Sequence, residues 1–475
     1  MSIVSGTRTD QRLGFADQTE EVRVAELAVS GAVPAWLSGA LVRVTPAQMD
    51  FEQRSVTHWF DGMAMLNRFG FHGGAVSYAS RFLDTDARRA ALASGGRAIS
   101  GFATDPCRSL FQRVQSAFSP ELTDNANVNL TRLGDEYLAL TETPIPVRFD
   151  PETLATLGHD EGAAAFGQLT TAHPHHDAGS GELMNFAAHL GRRSEYRVYA
   201  RRSSTDGRTL ATMPVREPAY MHSFAITPRF AVLLENPLVV NPLKLALSGK
   251  AFIHNYQWKP ERGMRIHAFD RATGALHRSW TADPFFVFHT INAFEDGGDL
   301  VVDLCAHADA SIIDLLDLEG LRAGTNAPQD ARPLRLTLPL AGGAVAARPL
   351  ADVDLELPRI DYRRHNGRDY RYAYATSLRE PGAPGFLDQL AKLDVAEGSV
   401  ATWHEEGCFP GEPVFVGAPD ADGEDEGVLL SVVLDARSGT SFLLALDAGD
   451  LGELGRAHVP QHVPFGFHGS FFRSP

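Results

Sequence analysis

Cysteine is nearly absent. Cys107, Cys305 and Cys408 are the only three in 475 residues, too few and too scattered for a disulfide framework or a cysteine zinc site. A reducing, cytoplasmic compartment fits that usage. Lysine is also scarce beside arginine, with Lys244, Lys250, Lys259 and Lys392 alone; no function is read from that bias. The formal net charge of −16 leaves no basic stripe, which argues against a nucleic-acid partner. No window approaches 18 uninterrupted apolar residues, so no membrane-spanning helix is expected. The opening MSIVSGTRTDQRLGF lacks the apolar core of a secretory signal. GxGxxG and P-loop patterns are missing, as is the alternation of strands and helices that builds a doubly wound fold.

What the chain has is strands. AMLNRFGFHGGAVSYASRFL (64–83) alternates on both sides of a Gly-Gly turn, and NVNLTRLGDEYLALTET (127–143) does so around Gly134-Asp135. Helix is predicted only at 85–94, 105–118 and 386–393. Four hairpins share one grammar, an apolar residue and an aspartate followed by a small-residue turn, with aspartates at 150, 270, 394 and 435. Their separations of 120, 124 and 41 residues suggest a unit of roughly 40 residues, the size of a four-stranded propeller blade. A propeller also absorbs this many strands without long exposed edges. The expectation is an all-β fold, one β-propeller domain over 1–475.

Histidine is plentiful, at 18. TAHPHHDAGSGE (171–182) alone holds His173, His175 and His176. Four histidines sit in apolar strand-like contexts far apart in sequence: His173 in LTTAHPHH, His222 in AYMHSFAIT, His289 in FFVFHTINAFE and His468 in PFGFHGSFF. A propeller aims its inner strands at one axis, so four such imidazoles can meet on one ion. Neutral imidazole suits iron, zinc, copper or nickel.

These contexts carry a resemblance. HWFDGMAML (58–66), DNANVNL (124–130), LTETP (140–144), TAHPHHD (171–177), YMHSFAIT (220–227), FHTINAFED (288–296), LELPRIDYR (355–363), GEPVFV (411–416) and PFGFHGSFF (464–472) resemble, in order and nearly end to end, the carotenoid cleavage oxygenases. The resemblance implies a seven-bladed β-propeller with a cap of loops and short helices over the iron-bearing face. It implies one Fe(2+) per chain on His173, His222, His289 and His468, with Glu142, Glu356 and Glu412 behind them. Such carboxylates fix the tautomer of a ligating histidine and offset the buried charge. Thr141 is placed beside the metal, where it partly blocks a coordination position. His175 and His176 are then expected on the solvated side of their turn.

The implied reaction is cleavage of a conjugated C=C bond of a carotenoid or apocarotenoid by O2 to two carbonyl products, with β-carotene to retinal placed first. Phe102 and Phe288 are the candidate tunnel wall. An insertion around 84–122 is the expected cap and membrane entrance, with Leu110, Phe111, Val114 and Phe118 on one apolar face of a helix suited to peripheral membrane contact. Arg43-Val44-Thr45-Pro46 and Asp61-Gly62-Met63-Ala64 depart from many members and are expected to bear on subgroup rather than catalysis. Three alternatives stay open: a stilbene- or phenylpropenoid-cleaving dioxygenase, a retinyl-ester isomerohydrolase-like activity, and a non-catalytic binding propeller. Nothing in the sequence sets an oligomeric state.

Overall fold

Short apolar runs closed by Gly, Asp or Pro become antiparallel strands throughout the computed structural model, which describes residues 9–105, 122–326 and 331–474. The hairpin of Met63–His72 with Ala75–Phe82 shows the local logic. Gly73 and Gly74 stand between the strands at φ 58° and 90°. Positive angles at both positions give the turn whose twist matches the strands, and glycine adopts them without strain.

Seven sheets of four to six strands result, with a separate two-stranded ribbon of Leu238–Val240 and Tyr256–Trp258. They are the blades of a seven-bladed propeller, numbered here along the chain. Blade 1 is built on Gly39–Gln48, Met63–His72 and Ala75–Phe82. Blades 2 to 7 begin with Asn129–Leu133, Leu169–Thr170, Phe224–Ile226, Phe286–Asp296, Glu356–Arg359 and Cys408–Pro410. Both ends of the chain fasten the ring. Gly469–Arg473 pairs with Gly39–Gln48 as the inner strand of blade 1, and Ala28–Gly31 pairs with Glu453–His458 as the outer strand of blade 7.

The core lies between blades. An apolar seam joins each neighbouring pair, as where Leu41, Phe69 and Tyr78 of blade 1 meet Val414, Leu430 and Leu443 of blade 7. A further cluster gathers Phe15, Trp59, Ile312, Leu316, Phe386, Phe465 and Phe467 with Phe286 and Phe288 over one end of the axis.

Two readings of the sequence need correction. The predicted helix at 386–393 is a strand, Gln389–Asp394, with all six residues buried. A middle strand sandwiched by two neighbouring blades is buried on both faces, and here Gln389, Lys392 and Asp394 are buried with partners of their own, so the alternation of a half-exposed strand is lost. The turn aspartates do cap hairpins, since Asp150, Asp270 and Asp394 each accept two backbone N–H groups from the residues that follow. But they stand in blades 2, 4 and 6, so about 120 residues span two blades and not three. Asp435 occupies a different hairpin, between the second and third strands of blade 7.

The helix predicted at 85–94 is present as Asp86–Ala93, capped by the Thr85 hydroxyl. The helix predicted at 105–118, with Cys107, Leu110, Phe111, Val114 and Phe118, lies outside the described residues except for Asp105. Among the described residues no helix is long and apolar enough to cross a membrane.

Candidate metal centre

Four blades deliver one imidazole each to the axis. His173 follows Leu169–Thr170 in blade 3, and His222 precedes Phe224–Ile226 in blade 4. His289 sits inside Phe286–Asp296 in blade 5, where the register with the next strand shifts between Val287 and Thr290. A bulge of this kind re-aims a side chain. His468 precedes the closing strand Gly469–Arg473. A Cβ on Gly469 would lie 2.6 Å from Arg43 Cγ and 2.7 Å from the Val42 carbonyl, so only glycine lets the strand carrying His468 come this close. Thr171 ties two of the ligand segments together. Its hydroxyl donates to the His222 carbonyl and accepts from the His173 N–H at 3.0 Å.

One nitrogen from each histidine lies within 4.8 Å of the other three. His173 Nε2 is 3.0 Å from His222 Nε2, and His289 Nε2 is 3.1 Å from His468 Nε2. Behind them stand the three expected glutamates. His222 Nδ1 donates to Glu142 at 2.6 Å, His289 Nδ1 to Glu356 at 2.5 Å, and His468 Nδ1 to Glu412 at 2.7 Å. That choice of tautomer leaves each Nε2 with a lone pair and no proton. His289 and His468 therefore face each other as two acceptors, which a hydrogen bond cannot reconcile and a cation can. The spacing also fits: nitrogens about 2.1 Å from one ion and at right angles about it are about 3.0 Å apart.

Electrostatics agree with neutral ligands. Burial, reinforced by the other three histidines, holds His173 well below the usual imidazole range. Burial outweighs Glu412 and brings His468 down to about 4. Burial alone would raise Glu412, but Arg359, His468 and Arg43 hold it at about 2. Glu356 is likewise pulled far below its ordinary value, by His289 and His307 against the effect of burial.

The tetrad separates two cavities. On one side an apolar pocket takes in His222, His289 and His468 with Thr141, Trp59, Phe60, Phe102, Phe288, Phe386 and Phe467. Both tunnel candidates line it, and so does Thr141. On the other side His173, His289 and His468 border a polar cavity with Arg132, Arg359 and Asp361. His176 is exposed, as expected. His175 is not: it is half-buried, with Nε2 bonded to the Phe224 carbonyl at 2.9 Å and Nδ1 beside Asn366 and Tyr362. The corner of its short strand turns it inward against blades 4 and 6.

The sequence reading missed the groups behind the glutamates. Tyr220 donates to Glu142 at 2.8 Å, His307 Nε2 bonds Glu356 at 2.9 Å, and Arg43 lies 3.3 Å and Arg359 3.0 Å from Glu412. Arg43, treated as a mark of subgroup, thus reaches His468 through Glu412. Asp61, of the second departing motif, accepts the N–H groups of Phe102, Ala103 and Thr104 and so places Phe102. Of these, only Tyr220, two residues before His222, carried a local signal.

A seven-bladed propeller with four histidines on its axis, three of them backed by carboxylates, defines a class: a propeller whose four-histidine group could hold a metal beside an apolar pocket. The family model described as retinal pigment epithelial membrane protein matches residues 15–473. A mitochondrial carotenoid-cleaving dioxygenase of Macaca fascicularis is 34% identical, covering 93% of this chain and 91% of its own. A β,β-carotene 15,15′-dioxygenase of Gallus gallus is 32% identical, covering 93% and 94%. Among solved structures, a Synechocystis apocarotenoid oxygenase variant superposes with a TM-score of 0.86 at 26% identity, over 98% of this chain and 99% of its own. A cobalt-substituted form of that oxygenase gives 0.85 at 27% identity, with the same coverage. The chain belongs to this family, the carotenoid oxygenases.

Proposed function

We propose that this chain is an Fe(II)-dependent dioxygenase that cleaves a conjugated C=C bond of a carotenoid or apocarotenoid with O2, giving two carbonyl products. β-Carotene to retinal is the first candidate. The observation that carries the reading is the convergence of four imidazole nitrogens, three of them from histidines that line an apolar pocket. His173, His222, His289 and His468 would hold the ion, and a ferrous ion there supplies the activation of dioxygen. Four ligands leave about two positions of an octahedron open. Thr141, at the pocket floor, narrows the approach to one of them.

The remaining work belongs to the side chains. Glu142, Glu356 and Glu412 orient three of the imidazoles and offset the ion's charge in a buried site. Phe60, Phe102, Phe288 and Phe467 exclude water and present ring faces that stabilise positive character spreading along a polyene. No lysine or tyrosine is among the described residues that line the pocket, which favours a polyene over a phenolic stilbene that must be ionised. The names of the two dioxygenase relatives point the same way.

A polyene partitions into lipid, so the protein is proposed to work in the cytoplasm as a peripheral membrane visitor. Helix Pro242–Ser248 supports this: Leu243 and Leu247 are 64% and 73% exposed, beside Lys244 and Lys250, two of the chain's four lysines. Its Leu245 and the following Phe252 pack on the cluster around the pocket.

The test is product analysis with Fe(II)-loaded protein, β-carotene in detergent and air. Retinal alone establishes central cleavage, and other apocarotenals keep the chemistry and move the bond. Turnover of retinyl esters without O2 consumption would replace cleavage by isomerohydrolysis. No carbonyl product from polyenes, with aldehydes from stilbenes, would shift the substrate class. His222→Ala or His289→Ala that retained stoichiometric iron would overturn the site itself.

A further inference from the structure

The three glutamates behind the histidines are not equivalent. Glu142 takes a phenol, Tyr220, and Glu412 takes two guanidinium groups, Arg43 and Arg359. Glu356 takes an imidazole. His307 ends the strand Asp299–His307 of blade 5 and is 1% exposed. Its Nε2 lies 2.9 Å from Glu356 Oε1, while the other oxygen, Oε2, receives His289 Nδ1 at 2.5 Å and the Leu357 N–H at 2.9 Å. Glu356 thus accepts from two N–H groups on one oxygen, and His307 Nε2 stands as the donor to the other. The ring of His307 lies against Phe286 and Phe288, and it forms part of the wall of the apolar pocket.

A buried carboxylate that bonds one ligand with one oxygen can rotate about its terminal bond. A second donor on the other oxygen stops that rotation. In an apolar wall few groups can supply it, and a histidine there costs desolvation that a phenylalanine or leucine would not. The geometry points to His307 as the positioning residue for His289. By fixing the plane of Glu356 it fixes the plane and tautomer of the imidazole, and so sets the ligand field and affinity of the metal site. This rests on the reading of the four histidines as metal ligands.

The bond comes from Nε2, which a glutamine amide reproduces and the shorter asparagine does not. Three variants follow: H307Q, H307N and H307F. The probe is Co(II), titrated into metal-free protein and read by its visible absorption and by competition with a chelator. The wild type and H307Q are expected to share one spectrum and one affinity. H307N and H307F are expected to lose about 10- to 100-fold in affinity, the usual effect of removing a partner behind a metal-bound histidine, and to shift the absorption bands. The loss should vanish in an E356Q background, where the carboxylate is gone. Folded H307N or H307F with wild-type affinity and spectrum overturns the proposal, as does equal loss in H307Q or an undiminished effect in E356Q. If the wild type itself fails to bind Co(II), the metal reading fails first.

Discussion

Leu357 sits at φ 54°, in the left-handed region that a branched side chain enters only under strain, next to Glu356 and in the wall of the pocket. The conformation turns its N–H onto Glu356 Oε2. Leu357→Gly should relieve about 1 kcal/mol of backbone strain but remove a buried side chain worth about 2–5 kcal/mol, so packing wins. Leu357→Ala removes most of the same side chain and keeps the strain. Both variants should melt below the wild type, with alanine the lower; calorimetry showing the reverse order would contradict the strain. The thiols are a second case at this scale. Burial raises Cys305 well above its ordinary value, and burial with Glu405 and Asp435 pushes Cys408 up to about 12. Neither should react with a disulfide reagent at pH 8 until the chain unfolds. Because Cys408 titrates above its ordinary 9.0 in the native state, its contribution to stability is intact below pH 9 and is lost as the pH rises toward 12. Residues whose chemistry is spelled by their neighbours were legible in the sequence, as with His222 in YMHSFAIT. Partners such as His307, which reaches Glu356 across 49 positions of chain, were not, because no local pattern records a contact made by tertiary closure.

Among the elements, helix Pro242–Ser248 carries the clearest functional prediction. Its exposed Leu243 and Leu247 have the geometry of an interfacial anchor, and its Lys244 with Lys250 just beyond it suits an anionic surface. Replacing both leucines by aspartate should abolish co-sedimentation with anionic vesicles while leaving metal content unchanged. Unaltered sedimentation would remove this helix from the proposed membrane contact. Its heptad is too short to register as an amphipathic helix in the sequence, which is why it was passed over for 105–118. Hairpins with glycine turns, such as Met63–His72 with Ala75–Phe82, were readable because turn chemistry and alternation are local. Gln389–Asp394 was misread because the neighbours that bury both its faces are remote in sequence.

For the whole molecule, the seams differ in strength. Among the described residues, blades 2 and 3 share only Leu133, Leu138, Leu140, Ala172 and Leu183 as a buried apolar cluster, while blades 1 and 7 share a far larger set. A small cavity of about 20 Å³ also lies at the weaker seam, between Leu138, Thr170 and Tyr199. Local opening should concentrate there. Hydrogen exchange by mass spectrometry is expected to be faster in Glu136–Leu140 than in Thr440–Asp447, and uniform protection around the ring would refute the ranking. The ring itself was legible as a class because so many strands without long edges have few other homes, but the blade length was not, since equal aspartate spacings can skip a blade. The fastening of blade 1 has a further consequence. His468 rides on the strand that completes the circle, whereas His173, His222 and His289 belong to three consecutive blades. An arc of propeller, however well folded, therefore holds a three-nitrogen site, and the fourth nitrogen arrives only with circular closure. A metal that prefers four nitrogens to three acts as a rivet: its differential affinity is added to the free energy that keeps the ring shut, and opening the ring and releasing the ion become one linked equilibrium.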